Sequence, residues 1–254
     1  MDQSIGIIGC GAIGQALLRA AESGAMVGTV AGVTSRTEST ARAFLSTLRN
    51  PPPYLDWDSL INRATLVVEM AGGQVFPDLA RDTFSPGKDL MVISIGALLE
   101  YPEVIEQSRI SGCRLLVPSG AIAGLDGIKS ACAGVVDRVV MVSRKPPNAL
   151  EGAPYLLERG ISLAGLTQEE ELFSGSARDA CRGFPANLNV SAAVSLAVPG
   201  LKYNCHDIEV EGEFGCLAIH IENIPSENPK TGCLTALSIL RAINDAVDPV
   251  SIGN

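Results

Sequence analysis

The two histidines, His206 and His220, are the side chains of this sequence that ordinarily titrate near neutral pH. Each is therefore a candidate general acid/base, able to take up and release a proton during a reaction. His206 stands beside Asp207 at the predicted start of a strand, where a loop could present it, whereas His220 lies inside an alternating strand. A structural or surface histidine is the alternative at both positions. From the residues alone, His206 is only slightly the better candidate.

Three glycines near the N-terminus have the spacing G-x-G-x-x-G, at Gly9, Gly11 and Gly14. The apolar run 5–8 before them predicts a buried strand, and residues 15–21 after them predict a helix. In such a strand-turn-helix, the glycines permit the turn, the approach of a pyrophosphate, and close packing of the helix on the strand. The amides at the helix N-terminus then face the phosphates. The alternative is a plain glycine-rich turn, but we predict a dinucleotide site formed by Gly9, Gly11, Ala12, Ile13 and Gly14.

The second strand, predicted over residues 26–33, is followed by Thr34-Ser35-Arg36-Thr37. A carboxylate here would accept hydrogen bonds from the ribose 2′-hydroxyl of NAD, and the sequence has none. A guanidinium beside hydroxyl groups suits a 2′-phosphate instead. Ser35 and Arg36 therefore predict that NADP is accepted, alone or besides NAD. The alternative is that Arg36 is a solvated loop residue.

The composition is that of a globular protein, with 254 residues, 46% hydrophobic and 19% charged, and a net charge of −9. No basic run occurs, which argues against nucleic acid or an anionic membrane as a partner. We see no apolar run of membrane-spanning length and no secretory signal. The seven cysteines form no C-x-x-C pair, which favours reduced thiols in the cytoplasm over disulfides or a metal site.

Strands and helices alternate through the first half, which predicts a parallel sheet with helices on both faces. Ligands bind beyond the carboxyl ends of such strands. The turn Ala71–Gly72, after a strand predicted over 66–70, is therefore expected to line the cofactor. The small-residue loop 118–127 is expected to lie near the nicotinamide, and a plain connector is the alternative.

From residue 135 the pattern changes to an α+β arrangement. Proline-bearing residues 145–154 predict a loop. We expect a dinucleotide-binding domain over 1–119, completed by a C-terminal helix within 233–254, and a substrate domain over 120–232. The strands are predicted over 139–144, 171–175, 206–210 and 216–221, and the helices over 176–182, 190–196 and 233–247.

At this point the residues resemble a known family, the L-aspartate dehydrogenases. The resemblance rests on five stretches that together span nearly the whole chain, and the three in the second half are specific to that family. Residues 143–154, SRKPPNALEGAP, resemble its bacterial branch in particular. The five stretches are GIIGCGAIGQAL, SGAIAGLDGIKSA, FSGSARDACRGFPANLNVSAAVSLA, NCHDIEVEGEFG and NPKTGCLTALS.

The resemblance implies a Rossmann domain followed by a smaller α+β domain, and a homodimer. It implies reversible oxidation of L-aspartate to iminosuccinate, then oxaloacetate and ammonia, with NAD or NADP. Carried over by motif, His206 is the catalytic histidine, and Ala121 and Asn189 contact the cofactor. His206 is then the general acid/base. The substrate carboxylates must be paired with other residues, because a buried carboxylate is costly without a partner. For these we predict Asn187, Lys230 and Thr231, while a solvated loop lysine is the alternative for Lys230.

One segment departs from the family, which usually carries a longer stretch between Leu196 and Asn204. Either the sheet has lost a strand or the chain omits a segment. The placement of the loop before His206 depends on which of these two alternatives holds. Two other functions stay open: a reductase of another small imino or keto acid, and a dinucleotide sensor without turnover.

Overall fold

The computed structural model describes residues 3–72, 75–185, 194–197, 200–228, 231–248 and 250, with the backbone alone at 194–197. The chain divides into two compact units. One comprises Met1–Pro118 and Ala236–Val250, and the other comprises Ser119–Thr235.

The first unit is built on a five-stranded parallel sheet with the strand order β2-β1-β3-β4-β5. The chain leaves β1 for one edge of the sheet and returns to β3 on the other side of β1. In doubly wound sheets of this order, the crevice at the carboxyl ends of β1 and β3 is the ligand-binding point. The strands are β1 (Ser4–Ile8), β2 (Thr29–Thr34), β3 (Leu66–Glu69), β4 (Asp89–Val92) and β5 (Leu115–Leu116).

Both faces of this sheet are covered, because alternate residues of β1, β3 and β4 enter two different apolar cores. Ile5 and Ile7 of β1 belong to one core with Leu17 and Leu18, whereas Ile8 belongs to the other. The prediction of a doubly wound parallel sheet is thus confirmed. The helices are α1 (Ala12–Glu22), α2 (Glu38–Leu45), α3 (Trp57–Arg63), α4 (Phe76–Phe84), α5 (Gly96–Glu100), α6 (Glu103–Ser111) and the part of α11 (Cys233–Asp245) from Ala236 onward.

The second unit contains a mixed five-stranded sheet with the order β10-β9-β6-β8-β7. β6 and β8 run parallel, and the other neighbours run antiparallel. β9 and β10 form a hairpin that turns at Gly215, whose φ is +112°. The strands are β6 (Val136–Lys145), β7 (Glu170–Ser174), β8 (Val194–Ala197), β9 (Asn204–Gly212) and β10 (Gly215–Asn223).

One face of this second sheet, which we call the inner face, packs on the core of the unit. Met141, Ile208, Val210 and Ile221 join that core from β6, β9 and β10. Tyr155, Phe173 and Phe184 pack with ring centroids 5.4 to 5.9 Å apart. The helices of this unit are α7 (Leu125–Ala131), α8 (Pro147–Leu150), α9 (Pro154–Arg159) and α10 (Ala177–Gly183).

Three predictions about the second half are wrong. The predicted helix over 190–196 is a strand from Val194 onward, since β8 pairs between β6 and β7. The predicted loop 145–154 begins inside β6, at Lys145, and contains α8. His206 is not presented by a loop, because it is the third residue of β9 and lies within the sheet.

No helix among the described residues is long and apolar enough to cross a membrane.

Candidate active site

The glycine loop after β1 is tightly packed at two of its three glycines. Gly9 has a φ of +109°, and a Cβ there would lie 2.5 Å from the carbonyl oxygen of Met70. A Cβ on Gly14 would lie 2.2 Å from the carbonyl oxygen of Gly9. Both glycines are therefore required by the fold itself, as the close approach of α1 to the turn demands.

Gly11 differs, because a Cβ there would meet no atom within 4 Å, and its φ of −81° is open to any residue. Nothing in the described fold demands a glycine at this position. The amides at the start of α1 have no intrahelical partner, and its first turn holds no acidic residue. The open space at Gly11 and the helix amides therefore fit a dinucleotide pyrophosphate.

Glu69, at the end of β3, accepts hydrogen bonds from the two loops that follow β3 and β4. Its side chain is fully buried. Oε1 accepts from the amides of Ala71 (2.8 Å) and Gly72 (2.9 Å) and from the Ser94 hydroxyl (2.9 Å). Oε2 accepts from the amides of Ile93 (3.3 Å) and Ser94 (3.0 Å). The turn Ala71–Gly72, predicted to line the cofactor, is thereby fixed at the carboxyl edge of the sheet.

Ser35 and Arg36 follow β2 at the same edge of the sheet. Tyr54 donates a hydrogen bond of 2.8 Å to the Ser35 carbonyl, and the Arg42 guanidinium lies 4.7 Å from the centre of the Tyr54 ring. Arg42 also pairs with Glu38. Arg36 is exposed and forms no ion pair with any residue that the structure describes, so its charge is available to a ligand.

His206 lies on the inner face of the second sheet and is only 4% exposed. It stands directly opposite Ser143 in the β6–β9 register, and its Nδ1 lies 3.0 Å from the Ser143 hydroxyl. Ser143 itself is fully buried. This contact orients the ring and leaves Nε2 without a hydrogen-bond partner in the described part of the chain.

The surroundings of His206 favour the neutral imidazole. Burial, and then the positive charge of Lys145, lower its pKa from the usual 6.5 to about 4, against the opposing effect of Asp207. At neutral pH the ring is therefore uncharged, and its unprotonated nitrogen can accept a proton from a substrate or from water.

Three further buried polar side chains share the inner face with Ser143 and His206. Lys145 lies two residues beyond Ser143 on β6, Asn204 two residues before His206 on β9, and Asn223 opposite Asn204 on β10. Their exposures are 3%, 1% and 4%. We call these five residues the polar strip. Sequence reasoning missed Lys145, Asn204 and Asn223, and their only signal was a polar residue at the buried positions of alternating strands.

His220 lies on the opposite face and is exposed. Its Nδ1 lies 2.5 Å from a carboxylate oxygen of Asp207, which raises the pKa of His220. Asp207 also pairs with Arg144. This is the surface histidine that the sequence left as an alternative.

The other predicted site residues are placed only in part. Ala121 lies half-buried in the loop before α7, where the adjacent Ile122 enters the core of the second unit. The Thr231 hydroxyl already contacts the Ser226 hydroxyl (2.7 Å) and the Asn228 carbonyl (3.2 Å). Its role in substrate binding stays a prediction. Asn187, Asn189 and Lys230 lie outside the described residues.

Comparison with known proteins identifies the family. The family model "Aspartate dehydrogenase, C-terminal" matches residues 126–246, and the model "Homoserine dehydrogenase, NAD binding domain" matches residues 9–118. L-aspartate dehydrogenase 3 of Bordetella bronchiseptica is 41% identical over 266 residues, covering 99% of this chain and 98% of that protein. This chain belongs to the L-aspartate dehydrogenase family. L-aspartate dehydrogenase of Methanosarcina mazei is 40% identical, with 98% of each chain covered.

Solved structures show the same fold. Aspartate dehydrogenase from Thermotoga maritima aligns with a TM-score of 0.73 at 22% identity, with all of both chains covered. A homoserine dehydrogenase from Thiobacillus denitrificans aligns with a TM-score of 0.61 at 12% identity, covering 98% of this chain and 75% of that one. The expected Rossmann-type sheet with a second α+β unit is thereby confirmed.

The open space at Gly11 leads to a prediction about cofactor binding. Gly11→Val should fold, with an unfolding temperature within a few degrees of the wild type, because a Cβ at this position meets no atom within 4 Å. It should bind no NADPH, measured by nicotinamide fluorescence, at concentrations that saturate the wild type, because the side chain occupies the pyrophosphate position.

Gly14→Val is the matched control. It should lower the free energy of unfolding by about 1–3 kcal/mol or more, because its Cβ meets the Gly9 carbonyl. Normal NADPH affinity in Gly11→Val would mean that the loop is only a turn.

Proposed function

We propose that this protein oxidises L-aspartate to iminosuccinate with NAD or NADP, and that iminosuccinate goes on to oxaloacetate and ammonia in a reversible reaction. The observation that carries the proposal is the buried His206, held at Nδ1 by Ser143. It lies in a chain that is 41% identical, over nearly its whole length, to a protein named L-aspartate dehydrogenase 3.

The bound dinucleotide supplies the acceptor for the hydride that leaves the α-carbon. The chain's own residues manage the protons. Neutral His206 accepts a proton from the water that attacks the imine carbon, and then delivers it to the departing amine. Ser143 keeps Nε2 directed away from β6 throughout, because it holds the other ring nitrogen.

Replacement of His206 tests this role. A positioned acid/base contributes roughly 100- to 10,000-fold in rate, so His206→Ala should lose about 3–5 kcal/mol of transition-state stabilisation with L-aspartate. Its affinity for the dinucleotide should hardly change, because the glycine loop belongs to the other unit. Turnover is followed by NADPH absorbance, and cofactor affinity by fluorescence.

His220→Ala is the matched control and should keep most of the activity, since His220 lies exposed on the opposite face of the sheet. Near-normal turnover in His206→Ala, or an inactive His220→Ala, would show that the assignment is wrong.

We also propose that Arg36 makes the protein accept NADP, by pairing with the 2′-phosphate. Loss of a charge-assisted hydrogen bond costs about 1.5–3 kcal/mol. Arg36→Ala should therefore weaken NADP binding roughly tenfold or more and leave NAD binding nearly unchanged. Equal losses for the two cofactors, measured by calorimetry, would contradict this.

A substrate screen separates the proposed activity from its alternatives. A reductase of another small imino or keto acid would oxidise its own amine or alcohol substrate in preference to L-aspartate. A dinucleotide sensor would bind NADP and turn over nothing in a panel of L-aspartate, D-aspartate, glutamate and alanine.

The family resemblance also supports a homodimer that works in the cytoplasm. All seven cysteines are free thiols, which suits a reducing compartment. Light scattering on the purified protein tests the assembly, and a mass of one chain would contradict it.

A further inference from the structure

The polar strip places a buried lysine beside the catalytic histidine. Ser143 and Lys145 point to the inner face because alternate residues of a strand share one face. Lys145 is therefore diagonal to His206 across the β6–β9 pair, where neighbours are about 7–8 Å apart. The lowering of the His206 pKa by Lys145 reflects this proximity.

Lys145 brings a positive charge to the inner face of the sheet. It is 3% exposed, and burial lowers its pKa to about 8, so that most molecules still carry the charge at neutral pH. Because little water screens charges in such surroundings, the ammonium group attracts a bound carboxylate more strongly than an exposed lysine does.

Two amide groups of the strip have atoms without a hydrogen-bond partner in the described structure. Asn204 Oδ1 and Asn223 Nδ2 are both buried and unpaired. The orientation of Asn223 is fixed, because its Oδ1 accepts from the Leu234 amide at 3.2 Å. An unpaired acceptor and an unpaired donor suit a ligand that carries both an amine and a carboxylate.

We propose that Lys145 binds a carboxylate of the substrate, and that Asn204 and Asn223 complete a site for a small amino-dicarboxylate beside His206. The inference rests on the proposed function and names residues that hold its substrate. In this site, Lys145 neutralises one carboxylate, Asn223 donates to a carboxylate oxygen, and Asn204 accepts from the amine.

The test compares Lys145→Met and Lys145→Arg with the wild type, and uses Lys129→Met as the matched control, because Lys129 is exposed on α7 of the same unit. Succinate is the binding probe, since it has two carboxylates and no amine to oxidise. Calorimetry measures succinate affinity, steady-state assays measure KM and kcat for L-aspartate, and fluorescence measures NADPH affinity.

Lys145→Met should raise the KM for L-aspartate at least tenfold, with a smaller change in kcat, and should lose succinate binding. NADPH affinity should stay within twofold of the wild type. Lys145→Arg should recover part of the succinate affinity, and Lys129→Met should match the wild type.

A folded Lys145→Met with unchanged KM and unchanged succinate affinity would overturn the inference. If Lys145→Met does not fold, the pH dependence of succinate binding to the wild type tests the inference instead. Its succinate affinity should fall as the pH rises above about 8, where Lys145 loses its proton and neutral His206 does not change charge. A constant affinity from about pH 7 to pH 10 would overturn the inference.

The outcomes separate this inference from the proposed function. A wild type that binds succinate through Lys145 but does not oxidise L-aspartate contradicts the function alone. A wild type that oxidises L-aspartate, with Lys145→Met unaffected, contradicts the inference alone.

Discussion

The contact between Ser143 and His206 is the interaction on which the second unit's chemistry depends. It joins residues that are directly opposite in the β6–β9 pair, and both are buried. Because side chains alternate between the faces of a strand, a one-residue slip would move His206 to the exposed face. The long β6–β9 and β9–β10 ladders therefore fix both the position and the neutral state of the imidazole.

In the first unit, the fold positions exposed backbone groups at the carboxyl edge of the parallel sheet. Gly9 and Gly14 allow the turn and helix to pack closely, and Gly11 leaves room for a ligand. Glu69 ties the loops after β3 and β4 to each other with a single buried carboxylate. The loops near the binding point are thus positioned by the fold before any cofactor arrives.

Local patterns predicted the first unit well. The three glycines, the strand before them and the helix after them are local features, and the alternation of strands and helices indicated the parallel sheet. Glu69 was not recognised, because nothing in the run Leu66–Met70 shows which donors in a later loop surround its carboxylate.

The second unit was harder because its site depends on pairing between distant strands. The motif identified His206, but not that it is buried inside β9 or that Ser143 faces it. Lys145 was assigned to a proline-bearing loop, because the prolines directly after it are typical of a loop, although β6 continues to Lys145. The small residues near 194 are typical of a helix, but they form a strand because they pair with β6 on one side and β7 on the other.

The central claim is that His206 is a neutral, buried base in the free protein, and histidine-ring NMR tests it most directly. The chain has two histidines, so a His220→Gln variant assigns both ring signals. On acid titration, His206 should stay neutral well below pH 6.5, with a pKa near 4, while the pKa of His220 lies above 6.5. A His206 ring that titrates at pH 6.5 or above would contradict the account.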